Sequence, residues 1–330
     1  MSQKKIIDTT GRFDAGESVF VARVLEEVEA GSYDILFPEL EGTKFVQTVA
    51  AAPGAQSVTY RQYRRTGIAK LVTDDGKDLP NAGLSVAEFN RKLYQIGISY
   101  QFTNEELRAA AMAARNGQPV NLEAERGMAA REGFERAVDK IIALGSATDS
   151  EIPGLEDGIG TDVGLTGLLN ISGAATYTCA TGSTGSQAWA QKAPDEVIAD
   201  IAGCYNSQIS TTYKIHKPNH FLLPISQYQD IATRRMGDAS DTTILNFAKA
   251  MLPGVKFDSW QYCDGAGSGT NVDRVVCYND ASRYVRMTIA RGFTQEPPQV
   301  QYLNTIVLCT GKLGGVVCPY PLSVTYMDNI

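Results

Sequence analysis

From Tyr94 to Phe102 the chain alternates. Tyr94, Ile96, Ile98, Tyr100 and Phe102 fall on one side of an extended backbone, and Gln95, Gly97, Ser99 and Gln101 fall on the other. A period of two predicts a half-buried strand. Upstream, Val58–Val72 reads as an extended run dense in charge, with Arg61, Arg64, Arg65 and Lys70. Asp74-Asp75-Gly76 supplies turn chemistry, and the return limb starts at Val86. The pattern predicts a long hairpin over Val58–Tyr100, polar on both faces distally and amphipathic at its base. Thr103 with Glu106 forms a capping box, opening a helix over Glu105–Arg115 that stops near Gly117 and Pro119. A longer helix is predicted over Pro119–Leu144, about 35–40 Å in length. Ala130, Phe134, Val138 and Ile141 form its apolar stripe, flanked by Ala137 and Ile142. Glu123, Glu125, Arg126, Arg131, Glu132, Glu135, Arg136, Asp139 and Lys140 cover the remainder, so the stripe is too narrow for burial all round.

The rest of the chain is less periodic. Phe20, Val24 and Val28 give Val19–Val28 a helical spacing that Gly31 and Pro38 interrupt; residues 1–50 carry too little apolar surface to fold alone. A Gly/Ser/Thr-rich stretch follows Gly145 and runs to Gln191. Pro194-Asp195-Glu196 then has the proline and acids of a helix start. Phe221–Leu223 predicts a short buried strand ended by Pro224, with helices around Ile225–Met236 and Thr242–Met251. Further strands are predicted at Val275–Tyr278, Tyr284–Ile289, Val300–Cys309 and Tyr320–Tyr326. No internal repeat of 20–50 residues is present.

Composition narrows the class. With 43% hydrophobic residues in 330, the chain can bury a sizeable core. Thirty basic against 37 acidic residues give a formal net charge of −7, which argues against a dedicated nucleic-acid binder. Cysteines 179, 204, 263, 277, 309 and 318 are far apart and never in CxxC spacing, as expected of buried, reduced thiols. The N-terminus lacks the apolar core of a signal peptide, and the longest uncharged window, Val163–Gln191, is rich in Gly, Ser and Thr. The expectation is a protein made in the cytosol, with no membrane association.

Catalytic patterns fail on inspection. His216 and His220 are four apart, but Pro218 lies between them and no glutamate completes a metalloprotease motif. Gly265–Gly269 superficially resembles a phosphate loop, yet Asn271-Val272-Asp273 leads into a strand rather than a helix. There is no GxSxG elbow and no histidine after residue 220. Cys204 reads as core, and Asp157 and Asp162 miss the calcium-loop spacing. No catalytic, cofactor or metal residues are expected. The remaining candidates are contact residues, in particular Arg61, Arg64 and Arg65, which either lie solvated or face an acidic neighbour such as the Glu-rich helix of another copy.

The order of elements resembles the major capsid proteins of tailed bacteriophages with the HK97-like fold. Val58–Tyr100 resembles the extended loop of that α+β fold, and Pro119–Leu144 its spine helix. Ala143-Leu144-Gly145-Ser146 followed by Gly164-Leu165-Thr166-Gly167-Leu168-Leu169-Asn170 is similar to the family's helix exit and Gly-Leu-Leu-Asn turn. Pro319–Val324 resembles a strand returning to the peripheral domain. The resemblance implies an N-terminal arm (1–50), an extended loop with its base strands (51–102) and a peripheral domain with the spine helix (103–147). An axial domain (148–290) and return strands of the peripheral domain (291–330) complete it.

It further implies a non-enzymatic subunit, without cofactor, that forms hexamers and pentamers of an icosahedral shell around phage double-stranded DNA. The DNA would be contacted weakly and non-specifically. A separate scaffolding protein, a portal and a decoration protein are the implied partners, with assembly in the host cytoplasm and residence in the virion. Lys70, Lys77 and the three arginines are the contact candidates. Some relatives crosslink a loop lysine to a neighbour's asparagine; Lys70 or Lys77 would occupy that position, with no acceptor or catalytic glutamate matched. The rival readings are an encapsulin-like compartment shell, a metabolic enzyme and a phage tail protein.

Overall fold

The computed structural model describes residues 40–71, 79–115, 122–146, 164–237, 241–269 and 272–330. The expected helix at Val19–Val28, the turn Asp74-Asp75-Gly76, Lys77, and Asp157 and Asp162 lie outside them.

A helical turn, α1 (Gly42–Phe45), leads into β1 (Gln47–Ala50). β2 (Ser57–Thr66) and β3 (Gly83–Lys92) pair antiparallel from Ser57↔Lys92 to Thr66↔Gly83, a ribbon joined to no other strand among the described residues. The return limb is therefore not one strand. It breaks at buried Leu93, whose N–H donates to the Gln56 carbonyl at 2.9 Å. β4 (Tyr94–Thr103) then joins a different sheet, pairing antiparallel with residues 304–313. The alternation of β4 holds: Tyr100 and Phe102 are buried, whereas Gln95, Gly97, Ser99 and Gln101 are exposed.

The capping box opens α2 (Asn104–Arg115): Thr103 N–H donates to Glu106 Oε2 at 3.0 Å, and Glu106 N–H to Thr103 Oγ1 at 3.2 Å. α3 (Leu122–Leu144) is 23 residues long, about 35 Å. Ala130, Phe134, Val138 and Ile141 are buried along it. Asp139, expected on the solvated face, is only 2% exposed. Its Oδ1 accepts from Gly42 N–H at 2.5 Å, so a carboxylate on α3 satisfies a free donor at the start of α1. Burial pushes its pKa up.

At the exit of α3, Gly145 takes φ +64° and bridges to Thr166; Asn170 Nδ2 donates to the Leu144 carbonyl at 2.6 Å. A Cβ at Gly145 would lie 2.6 Å from Gly167 N, so only glycine lets the two segments meet.

The second half adds β5 (Ala175–Thr178), α4 (Pro194–Thr211) and β6 (His220–Leu223). α5 (Ile225–Thr233), α6 (Ile244–Met251), β7 (Lys256–Ser259) and β8 (Arg274–Tyr278) follow. β9 (Arg286–Gln295) extends well past the expected Tyr284–Ile289. The run expected at Val300–Cys309 divides into β10 (Gln299–Gln301) and β11 (Asn304–Val317), with Tyr302 at φ 55° in the tight turn between them.

The Tyr320–Tyr326 strand is corrected. Pro321–Ser323 forms a 3-10 turn, closed by Ser323 Oγ donating to the Tyr320 carbonyl at 2.7 Å, and β12 (Val324–Asp328) starts only afterwards. β12 also does not return to the strands of 291–317. One sheet contains β1, β9, β11, β10 and β4, and the other runs β5-β12-β8-β6-β7. β6 and β8 are buried on both faces, and their alternation divides two cores. Leu222, Val276 and Tyr278 face the core beneath α3, while Phe221, Leu223, Val275 and Cys277 face the core beneath α4–α6.

Candidate assembly surface

The β2–β3 ribbon has two unlike faces. On one, Tyr60 stacks on Phe89 at 5.2 Å, Gln62 Nε2 donates to the Pro319 carbonyl, and the Arg286 guanidinium lies 5.9 Å from the Tyr60 ring. This face is half-buried against the subunit. On the other, Arg61 pairs with Glu88 at 2.6 Å, and Tyr63 stands opposite Val86 and Arg65 opposite Leu84. Tyr63 is 60%, Val86 49% and Leu84 62% exposed. The expectation of a distal hairpin polar on both faces is thus corrected: apolar side chains lie uncovered on the outer face. Their neighbours masked them in the sequence: Tyr63 is followed by Arg64 and Arg65, and Ser85 separates Leu84 from Val86.

The arginines do not act as one cluster. Arg61 is neutralised within the ribbon by its exposed pair with Glu88, which adds little stability. Arg64 and Arg65 have no ion pair among the described residues and, being adjacent on a strand, point to opposite faces. Lys70 is exposed beyond the ribbon. The α3 stripe of Ala130, Phe134, Val138 and Ile141 belongs to the core and is not brought together with them.

Three polar arrangements had no signal in the sequence. Arg126 donates to both carboxylate oxygens of Glu106, at 2.8 and 3.1 Å, and holds its pKa at about 2. Lys192 and Asp200 form a buried ion pair, with Trp189 Nε1 donating to Asp200 at 3.1 Å. His220 Nε2 lies 2.9 Å from Asp258 Oδ2, its ring stacks on Tyr278 at 5.2 Å, and Tyr278 OH donates to the Phe45 carbonyl at 2.9 Å. Burial pulls the His220 pKa down against Asp258 and Asp280, which pull it up. His216 packs instead beside Tyr284 and Tyr320. The six cysteines are unpaired, five of them buried, and burial pushes the Cys179 thiol up to about 12. Among the described residues no helix is long and apolar enough to cross a membrane.

A protein-family model described as "Major capsid protein" matches residues 67–330. The chain belongs to the major capsid protein family. Among solved structures this capsid protein is similar to the capsid of Myoviridae Phage XM1, at 18% identity and a TM-score of 0.78, over 94% of this chain and 98% of that one. It is similar to a structure of Mycobacterium phage Ogopogo at 11% identity and a TM-score of 0.60, over 94% and 98% of the two chains. It also resembles a virus-like particle from Pyrococcus furiosus at 10% identity and a TM-score of 0.51, over 86% and 90%. No curated protein matches it. The fold is the HK97-like fold of phage capsids.

Proposed function

We propose that this chain builds the closed icosahedral head of a tailed phage around double-stranded DNA, as hexamers and pentamers. The observation that carries the reading is the β2–β3 ribbon, which joins no sheet and exposes Tyr63, Leu84 and Val86. An isolated two-stranded ribbon is marginal in water, and uncovered apolar side chains on it call for a partner surface. That partner is a neighbouring copy. Residues 51–102 serve as the extended loop, 103–147 with residues 291–317 as the peripheral domain, and 148–290 as the axial domain, to which β12 is added because it pairs with β5 and β8. Arg64 and Arg65 set register against acidic groups of the neighbour rather than adding much affinity. Lys70 and Lys77 lie in the same loop, and a crosslink there is a subsidiary reading.

The subunit is structural and non-catalytic, is assembled in the host cytoplasm, and works with scaffolding, portal and decoration proteins; its DNA contacts are weak and non-specific, consistent with a net charge of −7. The encapsulin-like alternative is the less supported one: the matching family model is that of major capsid proteins, and the phage XM1 capsid aligns at a TM-score of 0.78. Negative-stain microscopy with light scattering of the purified protein tests the proposal. Closed shells or capsomer-sized rings are expected; a 35.6 kDa species alone, across broad ranges of salt and concentration, would sink it.

A further inference from the structure

Where the ribbon meets β9, β11 and the turn at Gly164–Thr166, a partly open cavity of about 30 Å³ remains. Arg91 and Lys92 of β3 and Arg286 of β9 line it, and among the described residues no carboxylate does. Arg91 Nε is buried without a hydrogen-bond partner among the described residues. Arg286 has one long hydrogen bond, Nη1 to the Ser282 carbonyl at 3.5 Å, besides its position near the Tyr60 ring. Arg91 and Lys92 have no ion pair among the described residues. Gly314 and Gly315 form part of the wall; a Cβ on Gly315 would lie 2.8 Å from Thr166 N, so the wall stays bare and close.

Three like charges around one cavity repel each other, and a buried guanidinium donor without an acceptor is costly. One negatively charged group relieves both. The volume suits it: at about 10–15 Å³ per water-sized atom, the cavity takes two oxygens, as a carboxylate or the buried edge of a phosphate presents them. Two half-buried guanidiniums supply planar donors matched to such a group, and exposed Lys92 stands at the mouth as a point charge.

We propose that this cavity binds a single oxyanion, held between Arg91 and Lys92 of the ribbon and Arg286 of β9. Because the cations sit on different elements, a bound oxyanion ties the base of the ribbon to the body of the subunit and fixes the angle at which the ribbon leaves it. The group comes either from a free phosphate ion or from an acidic side chain of a second copy. The site consists of this chain's own residues and stands whether or not the shell reading does.

Titration of the unassembled full chain with inorganic phosphate, against chloride at matched ionic strength, tests this, with hydrogen exchange followed over residues 57–66 and 83–92. Phosphate is expected to bind and to slow exchange at the ribbon base. Arg286→Gln should weaken binding about tenfold or more. Arg286→Lys, which keeps the charge, should retain part of it and report that the fold is intact, and Lys249→Gln, at an exposed position of α6, should leave it unchanged. Shells that still bind phosphate as free subunits do would identify a free ion as the source. Shells that no longer bind it, with Arg286→Gln impairing assembly, would identify a neighbour's carboxylate. Phosphate acting no differently from chloride on the wild type, or binding Arg286→Gln equally well, would overturn the site.

Discussion

Replacing Phe134 with alanine should destabilise the subunit by about 3–5 kcal/mol, the usual cost of deleting a buried phenylalanine. Its ring is 6% exposed, meets Phe293 edge-to-face at 5.4 Å between centroids, and lies directly over Gly311 of β11. The edge-to-face contact adds about 0.5–1.5 kcal/mol to simple burial. Against that, the ring borders an open groove lined by Val138, Ile289 and Leu313. Water can enter the space the ring leaves, so the loss should fall near 3 kcal/mol. The opposite perturbation probes the same contact. A methyl at Gly311 would overlap the Phe134 ring, and such overpacking costs about 1–3 kcal/mol. Phe134→Leu combined with Gly311→Ala should then cost clearly less than the sum of the two single changes, because the smaller side chain vacates the space the methyl needs. Urea unfolding of unassembled subunits, read by near-ultraviolet circular dichroism, gives the values for all four variants. A Phe134→Ala variant with the wild-type midpoint, or strict additivity in the pair, would refute the packing of α3 on β11.

Three further outcomes are expected. Gly-Ser in place of residues 61–91 should leave a soluble subunit with near-native circular dichroism, since loop length changes closure entropy only slightly; it should fail to build shells, and normal shells from it would remove the ribbon's assigned role. Lys192→Met strands the Asp200 carboxylate, 3% exposed, and should cost about 3–5 kcal/mol, whereas adding Asp200→Asn should recover much of that; equal urea midpoints for the single and double variants would contradict it. The folded pKa of His220 lies below its ordinary 6.5, so its contribution is complete above pH 6.5 and is lost as pH falls from there through the folded value. His220→Phe should flatten that part of the stability–pH curve, and an unchanged slope between pH 6.5 and 5 would place the titrating group elsewhere.

The elements legible in the sequence were those whose causes are local. The alternation of β4, the Thr103–Glu106 box and the single stripe of α3 each arise from residues within a few positions of one another, and each is found where the pattern put it. The failures are non-local. Asp139 occupies a polar slot on α3 and is buried only because α1 brings the Gly42 N–H to it from 97 residues away. Tyr320–Tyr326 alternates well enough for a strand, but proline and serine closed its first half into a turn, and pairing with β5 and β8 decided the sheet of its second half.

The ribbon fails for a different reason. Its charges made it read as solvated, yet the register sets Tyr63 against Val86 and Arg65 against Leu84, so the outer face is apolar and cationic together. A surface of that kind on a strand pair with no third strand is poorly satisfied in the isolated subunit. Covering the apolar side chains and countering Arg65 would stabilise it. On the proposed reading a second copy of this acidic chain would supply both, so that assembly would complete the ribbon's fold as well as the shell.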